Sequence, residues 1–109
     1  MKHMKLESLE KISHFLTRTS MWIYPINETS IVSFIQGFEA GIGKNIFTTE
    51  LTRYLESEYE IYGSNQGWPR QILLYAEKRN ITWSEAFLEI GRLIIDRLKT
   101  ADQTQFLKD

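Results

Sequence analysis

The sequence predicts an all-α fold, a compact single-domain bundle of about five helices. Apolar residues recur every three or four positions along almost the whole chain, which is the spacing of one face of a helix. Glycine, proline and helix-capping residues separate these periodic segments. The two short segments that are able to extend, residues 21–24 and 44–47, do not alternate long enough to predict strands.

Length and composition predict one domain that spans residues 1–109. A chain of this length is able to bury a single core without disulfides or metals. We expect the core within about residues 5–99 and a frayed polar tail over residues 100–109. The chain is 42% apolar and 25% charged, which excludes a disordered protein. It contains no cysteine, which excludes disulfides, thiol nucleophiles and cysteine-based zinc sites.

The first helix is predicted over residues 5–18, where apolar residues form one stripe. The stripe consists of Leu6, Leu9, Ile12 and Leu16. Residues 19–27 break the period, and Pro25 disfavours a helical conformation for the residue before it. We therefore expect an extended connection in which Trp22 and Tyr24 fold down onto the core.

The second helix is predicted to begin near residues 27–30, which offer capping side chains, and to end at the glycines of residues 41–43. Its apolar stripe consists of Ile31, Phe34, Ile35 and Phe38. A second face of small residues consists of Gly37, Ala40 and Gly41. We expect another element to approach this small face closely. Glu39 lies beside it, and a buried carboxylate there needs an arginine or a backbone cap as its partner.

The third helix is predicted to begin with Thr48 or Thr49 as its cap and to end at Gly63. Glu50 then lies in the first turn, where the helix dipole favours a negative charge. The expected buried stripe consists of Leu51, Tyr54, Leu55, Tyr59 and Tyr62.

Gly67-Trp68-Pro69 predicts the start of the fourth helix. The fixed φ of Pro69 suits the first turn of a helix, and Trp68 is expected to be a buried anchor at that point. Asn80 is the expected end of this helix. Its expected core residues are Trp68, Ile72, Leu73 and Ala76.

A capping box predicts the start of the fifth helix, since the Thr82 hydroxyl and the Glu85 carboxylate are spaced to cap each other's backbone N–H. One face of this helix consists of Trp83, Phe87, Ile90, Ile94 and Leu98. Further apolar residues widen that face, so we expect the fifth helix to be the central one, packed by several neighbours.

The sequence contains no recognisable catalytic or metal-binding set. Neither His3 nor His14 has a second ligand three or four positions later, which favours surface histidines over a metal site. Residues 41–44 share a glycine and a lysine with phosphate-binding loops but lack the full spacing, which favours a loop that ends a helix. We therefore expect no enzymatic activity, no metal and no cofactor.

The strongest surface signal is acidic. Residues 50–60 hold four glutamates and one arginine, while the whole chain has a net charge of −1, which argues against a nucleic-acid partner. One interpretation is a solvated helix face, and the other is a docking surface for a basic protein. The second interpretation assigns partner binding to Glu50, Glu56, Glu58, Tyr59 and Glu60.

A family resemblance favours the docking surface. Core and turn residues spread over about residues 22–90 resemble those of immunity proteins of bacterial contact-dependent growth inhibition and polymorphic-toxin systems. These residues are Phe34-Ile35-x-Gly37-Phe38-x-x-Gly41, Leu51 to Tyr59, Gly67-Trp68-Pro69-x-x-Ile72, Ala76, Trp83 and Ala86-Phe87. The resemblance implies a cytoplasmic protein that binds its cognate toxin, often a nuclease, and covers the active site without catalysis. Immunity proteins vary most where they touch the toxin, so the matching positions assign no binding residue.

Two other functions stay open from the sequence. The first is a helical adaptor or regulatory protein that binds a bacterial partner other than a toxin. The second is a small hydrolase that uses Glu39 and His14. No apolar run approaches the roughly 20 residues that span a bilayer, so we expect no membrane partner and a cytoplasmic location. Composition does not distinguish a monomer from an oligomer.

Overall fold

The computed structural model describes the backbone of residues 5–108 and the side chains of residues 5–101. In that part of the chain it contains five α-helices, two 3-10 turns and no strand, so the predicted all-α bundle is confirmed. The helices are α1 (Leu6–Thr17), α2 (Glu28–Ile42), α3 (Ile46–Tyr59), α4 (Gly67–Arg79) and α5 (Trp83–Lys108), and the 3-10 turns are Thr19–Met21 and Ser64–Gln66.

The central element is α5, as its wide apolar face predicts, and it packs against the other four helices. Its start is the predicted capping box, in which the Thr82 N–H donates to Glu85 and the Glu85 N–H donates to the Thr82 hydroxyl. Gly91 faces Leu16 of α1, where an added Cβ would lie 3.0 Å from a leucine methyl. The helix continues to Lys108, through the segment expected to fray.

Cations of α5 hold the C-terminal half of α1. The Arg92 guanidinium donates to the Leu16 carbonyl at 3.0 Å, and Lys99 donates to the Ser13 hydroxyl at 3.1 Å. A cation at a helix C-terminus interacts favourably with carbonyls that have no intrahelical donor. These two contacts join residues more than 70 positions apart, so they fix α1 against the second half of the chain.

The sequence prediction for the connection between α1 and α2 is wrong in two respects. It begins with a 3-10 turn rather than an extended segment, and Tyr24 does not fold onto the core but is 91% exposed. Trp22 is 42% exposed, with its ring against Phe34. The predicted cap of α2 is confirmed at Asn27, whose side chain accepts the Ser30 N–H.

The small-residue face of α2 does not pack against a neighbour, contrary to the expectation. A Cβ added at Gly37 or Gly41 would meet no atom within 4 Å. The helix packs instead through its apolar stripe, in which Ile31 and Ile35 are fully buried. Because the stripe lies on another side of the helix, the small residues face outward.

α3 begins earlier and ends earlier than predicted. It starts at Ile46, with Asn45 before it, and neither Thr48 nor Thr49 acts as the N-cap. It ends at Tyr59, and Tyr62, predicted in the buried stripe, is 59% exposed.

The start of α4 agrees with the prediction, because the helix begins at Gly67, within Gly67-Trp68-Pro69. Gly67 has a φ of 69°. Gly63 does not end α3 but lies so close to Gly67 that a Cβ there would collide with the Gly67 carbonyl. Trp68 is partly buried rather than fully buried, and its ring packs on Trp83. The predicted end at Asn80, in the left-handed conformation, is confirmed.

Candidate functional site

The C-terminal end of α3 positions most of the predicted binding residues. Glu60 follows the last helical residue in a left-handed conformation, with a φ of 55°. Its N–H donates to the Glu56 carbonyl, and the next N–H, of Ile61, donates to the Leu55 carbonyl. Ile61 is buried, which anchors the turn. We call Glu56, Glu58 and Glu60 the acidic end of α3.

The five predicted residues do not form one face. Positions 56 and 58 of a helix with 3.6 residues per turn point about 160° apart, so these carboxylates surround the helix end. Glu50 lies about 9 Å along the axis from Glu56. It also has its own partner, because Arg53 donates to its carboxylate at 2.8 Å. Glu50 is therefore separate from the acidic end.

The acidic end is electrostatically unfavourable for the isolated helix. The C-terminus of a helix carries the negative end of the helix dipole, so each added carboxylate there costs about 0.3–1 kcal/mol. Within the described residues, no ion pair involves Glu56, Glu58 or Glu60. Glu58 and Glu60 are exposed, and Glu56 is partly buried. Three carboxylates therefore lie together where this helix stabilises them least.

Tyr59 does not lie free on this surface, because it belongs to a row of three tyrosines that we call the tyrosine row: Tyr54, Tyr59 and Tyr75. The ring of Tyr59 meets that of Tyr54 edge to face at 6.0 Å and that of Tyr75 at 5.1 Å. Tyr75 is buried and Tyr59 partly buried. The tyrosine row packs behind the acidic end, and only the outer part of the Tyr59 ring is accessible to a partner.

Charged groups flank both ends of the tyrosine row. The Arg97 guanidinium lies over the Tyr54 ring, 5.3 Å from its centroid. At the other end the Tyr75 phenol donates to the Glu89 carboxylate and accepts from Arg79 at 2.7 Å. Arg79 also pairs with Glu89 at 2.6 Å. These contacts tie α3, α4 and α5 together behind the acidic end.

The residues that flank the tyrosine row are absent from the predicted site. The spacing of Tyr75 and Arg79, four positions on one helix, was a readable signal of a contact. Glu89 and Arg97 lie on α5 and gave no such signal, because their contacts depend on how α5 crosses its neighbours.

Two phenols of the tyrosine row, those of Tyr54 and Tyr75, have a raised pKa. Burial raises the pKa of Tyr75 above its ordinary value, and the hydrogen bond to the Glu89 carboxylate raises it further. Burial and the neighbouring Tyr59 likewise raise the pKa of Tyr54. A phenol with a raised pKa is a weaker acid and supplies less phenolate near neutral pH, so the arrangement favours hydrogen bonding and packing.

The two residues of the hydrolase alternative have different partners. Glu39 accepts both the N–H and the hydroxyl of Thr48, at 3.0 and 2.7 Å, which is the backbone cap that a buried carboxylate needs. The His14 Nδ1 accepts the indole N–H of Trp22 at 2.8 Å. Over the residues that the structure describes, no group of three His, Cys, Asp or Glu side chains is able to hold a metal ion.

A second surface feature is the connection over residues 18–27, which we call the α1–α2 loop. Ile23 packs against the core, but the other four large apolar side chains of the loop are exposed. They are Met21, Trp22, Tyr24 and Ile26. Exposed apolar groups of this kind are typical of surfaces that contact other molecules. Sequence periodicity does not reveal it, because the loop has no period.

Comparison with family models, with curated proteins and with solved structures finds no match to this chain. Its class therefore rests on its own geometry: an all-α bundle that presents an acidic end supported by tyrosines. Among the described residues, no helix is both long enough and apolar enough to cross a membrane.

Proposed function

We propose that this protein is a cytoplasmic immunity protein that binds a cognate toxin with a basic surface, a nuclease, and covers its active site without catalysis. The observation that carries the proposal is the acidic end of α3, where three carboxylates lack a cation within the described chain. Their position at the negative end of a helix opposes stability, and sequences break such local rules mainly where function requires it.

A basic partner removes this conflict. Lysines and arginines that bind the phosphates of a nucleic acid would pair equally well with the carboxylates of Glu56, Glu58 and Glu60. An inhibitor with this surface competes with the phosphates for the same cations. It also attracts the toxin over a distance, which raises the rate of association.

The resemblance to immunity proteins adds support that is independent of charge. Among the residues that carry it, Ile35, Leu51 and Ile72 are fully buried, and Gly67 has a positive φ. A resemblance at such positions concerns the fold, and it assigns no residue to the contact with a toxin.

The test is coexpression with the toxin domain encoded beside this gene. We expect rescue of growth and a stable complex. The double variant Glu56→Lys with Glu60→Lys should reduce the association rate about tenfold or more at low salt, and the remaining rate should depend less on salt. Growth that is not rescued, together with no complex, would contradict the proposal.

The matched control is Glu10→Lys with Glu77→Lys. Both glutamates are exposed, and neither forms an ion pair with a described residue. This control changes the net charge by the same amount as the first variant, at positions outside the acidic end. We expect it to change the association rate much less. Equal rates for the two double variants would remove the acidic end from the interface.

The second candidate function is a helical adaptor or regulatory protein for a partner other than a toxin. The α1–α2 loop favours it, because Met21 and Tyr24 are among the most exposed apolar side chains that the structure describes. Met21→Ser with Tyr24→Ser distinguishes the two functions. An adaptor that binds through this loop loses its partner, whereas the immunity protein keeps its ability to neutralise the toxin.

A further inference from the structure

A hydrogen bond between two side chains joins α1 to the loop that follows it. The indole N–H of Trp22 donates to Nδ1 of His14 at 2.8 Å, and the two rings meet edge to face at 5.7 Å. An indole nitrogen is a donor only. The bond therefore requires an unprotonated Nδ1 and a neutral imidazole.

This hydrogen bond holds the Trp22 indole, which packs against the rest of the protein on one side only. The indole lies edge to face against Phe34, with the ring centroids 5.5 Å apart, and Phe34 stacks on Phe15 at 3.9 Å. The other side of the indole is open to solvent, since Trp22 is 42% exposed. Packing on one side leaves the hydrogen bond to fix the direction of the ring.

The two ends of the α1–α2 loop are held differently. At the α2 end, the Asn27 and Ser30 side chains cap each other's backbone, and the Ser30 hydroxyl donates to the Pro25 carbonyl. None of these groups titrates near neutral pH. At the α1 end the buried Thr19 hydroxyl donates to the Phe15 carbonyl at 2.8 Å, and the link that reaches further along the loop is the bond between His14 and Trp22, which depends on an imidazole.

We propose that the His14–Trp22 hydrogen bond is a proton-sensitive latch on the α1–α2 loop. A proton taken from solvent by Nδ1 occupies the lone pair that accepts the indole N–H. Two donors then face each other and the bond breaks. Trp22 leaves its position, and the exposed side chains of Met21 and Tyr24 move with the loop.

The charged groups around His14 give the protonated imidazole a new partner. Glu10 lies four positions earlier on α1, at the spacing of a helical ion pair, while Lys11 lies on the same helix and Arg18 directly follows its last residue. From α5, Arg92 and Lys99 bond to Leu16 and Ser13, on either side of His14. From α2, the aromatic ring of Phe34 contacts Trp22. Glu10 is thus the carboxylate on α1 placed to attract the protonated ring.

The indole N–H resonances of the three tryptophans test this latch in a proton–nitrogen correlation spectrum recorded from pH 8 to pH 5. Imidazoles ordinarily titrate within this range. The Trp22 resonance, assigned from Trp22→Phe, should shift in one transition that coincides with the His14 ring resonances. The Trp83 indole is an internal reference, because it donates to the Pro69 carbonyl, which does not titrate. A constant Trp22 resonance while His14 titrates would overturn the proposal.

Two variants separate the latch from other effects of pH. His14→Gln replaces the imidazole with an amide that does not titrate, so the Trp22 transition should disappear. His3→Gln removes the other histidine and should leave the transition unchanged. If the transition survives in His14→Gln, or disappears in His3→Gln, another group controls Trp22 and the latch is absent.

Discussion

At the scale of single residues, Glu39 of α2 determines how α3 begins. Its carboxylate accepts the Thr48 N–H at 3.0 Å, one of the four N–H groups at a helix start that lack an intrahelical acceptor. Burial raises the pKa of Glu39 above its ordinary value, although the two hydrogen bonds from Thr48 oppose the shift. Glu39 thus caps α3 from another helix, and its raised pKa means that the folded state favours the protonated form of its carboxyl group.

The sign of the pH dependence follows from that shift. A carboxyl whose pKa is raised on folding contributes stability that is fully present below its unfolded pKa and is lost as the pH rises through its folded pKa. Glu39→Gln does not titrate, and its amide keeps an acceptor for the Thr48 N–H. Its unfolding free energy relative to the wild type should therefore increase between pH 4 and pH 7.

Urea titrations at several pH values measure this difference. Glu39→Ala is the control, because it removes the cap and should lower the unfolding free energy by about 1 kcal/mol at pH 7. A difference between Glu39→Gln and the wild type that stays constant from pH 4 to pH 7 would show that burial of the carboxylate does not control its titration.

At the scale of elements, Gln71 of α4 joins the middle of α3 to the segment that follows the helix. Its amide nitrogen donates to the Ile61 carbonyl at 2.9 Å and to the Thr52 carbonyl at 3.3 Å. The side chain is only 1% exposed, and its amide oxygen has no hydrogen-bond partner among the described atoms. Gln71 therefore holds the chain in the turn that carries the acidic end.

Gln71→Glu should lower the unfolding free energy by about 3 kcal/mol or more at pH 7, because it buries a charge against two carbonyls that lose their donor. Gln71→Met has a similar shape without charge and should lower it by about 1–2 kcal/mol. Urea titration measures both. Since a protonated carboxyl is again a donor, acid should restore part of the loss in the glutamate variant alone. Equal losses at every pH would mean that the amide does not face these carbonyls.

Helix limits set by neighbouring residues were predictable from the sequence. Asn27 caps α2, Asn80 ends α4, and the Thr82–Glu85 box starts α5, each through contacts within a few positions of the chain. The central position of α5 was predictable too, because a face that is apolar over a wide arc requires several neighbours.

Features that depend on contacts between helices were not predictable. Glu39 supplies the cap that the sequence assigned to a threonine hydroxyl, from nine positions away. α3 ends at Tyr59 because the buried Ile61 pulls the chain into a left-handed turn at Glu60, a conformation that sequence patterns assign to glycine. Of the carboxylates predicted at the candidate site, Glu58 and Glu60 are exposed, Glu56 is partly buried and Glu50 is paired with Arg53. The tyrosine row behind them depends on the packing of α3 against α4, which the sequence pattern does not reveal.

At the scale of the whole molecule, stability and the proposed function make opposite demands on one end of α3. A protein with a net charge of −1 has enough cations to pair these carboxylates, yet in the described structure its ion pairs lie elsewhere. The left-handed conformation of Glu60, with φ at 55°, adds a backbone cost of about 1 kcal/mol that glycine avoids. The acidic end is therefore a local loss of stability, which the proposed basic partner would reverse.

Glu56→Gln combined with Glu60→Gly should raise the unfolding free energy by about 1–2 kcal/mol, since it relieves the conflict with the helix dipole and the left-handed strain together. The same variant should associate more slowly with the basic partner, because two of the three carboxylates are gone. Urea titration and association kinetics measure the two effects.

Glu28→Gln is the control, because this glutamate lies in the first turn of α2, where its charge is favourable, and the change should lower stability by a few tenths of a kcal/mol. A double variant that is more stable and still associates at the wild-type rate would separate the acidic end from partner binding, whereas one that is less stable would show that Glu56 and Glu60 serve the fold.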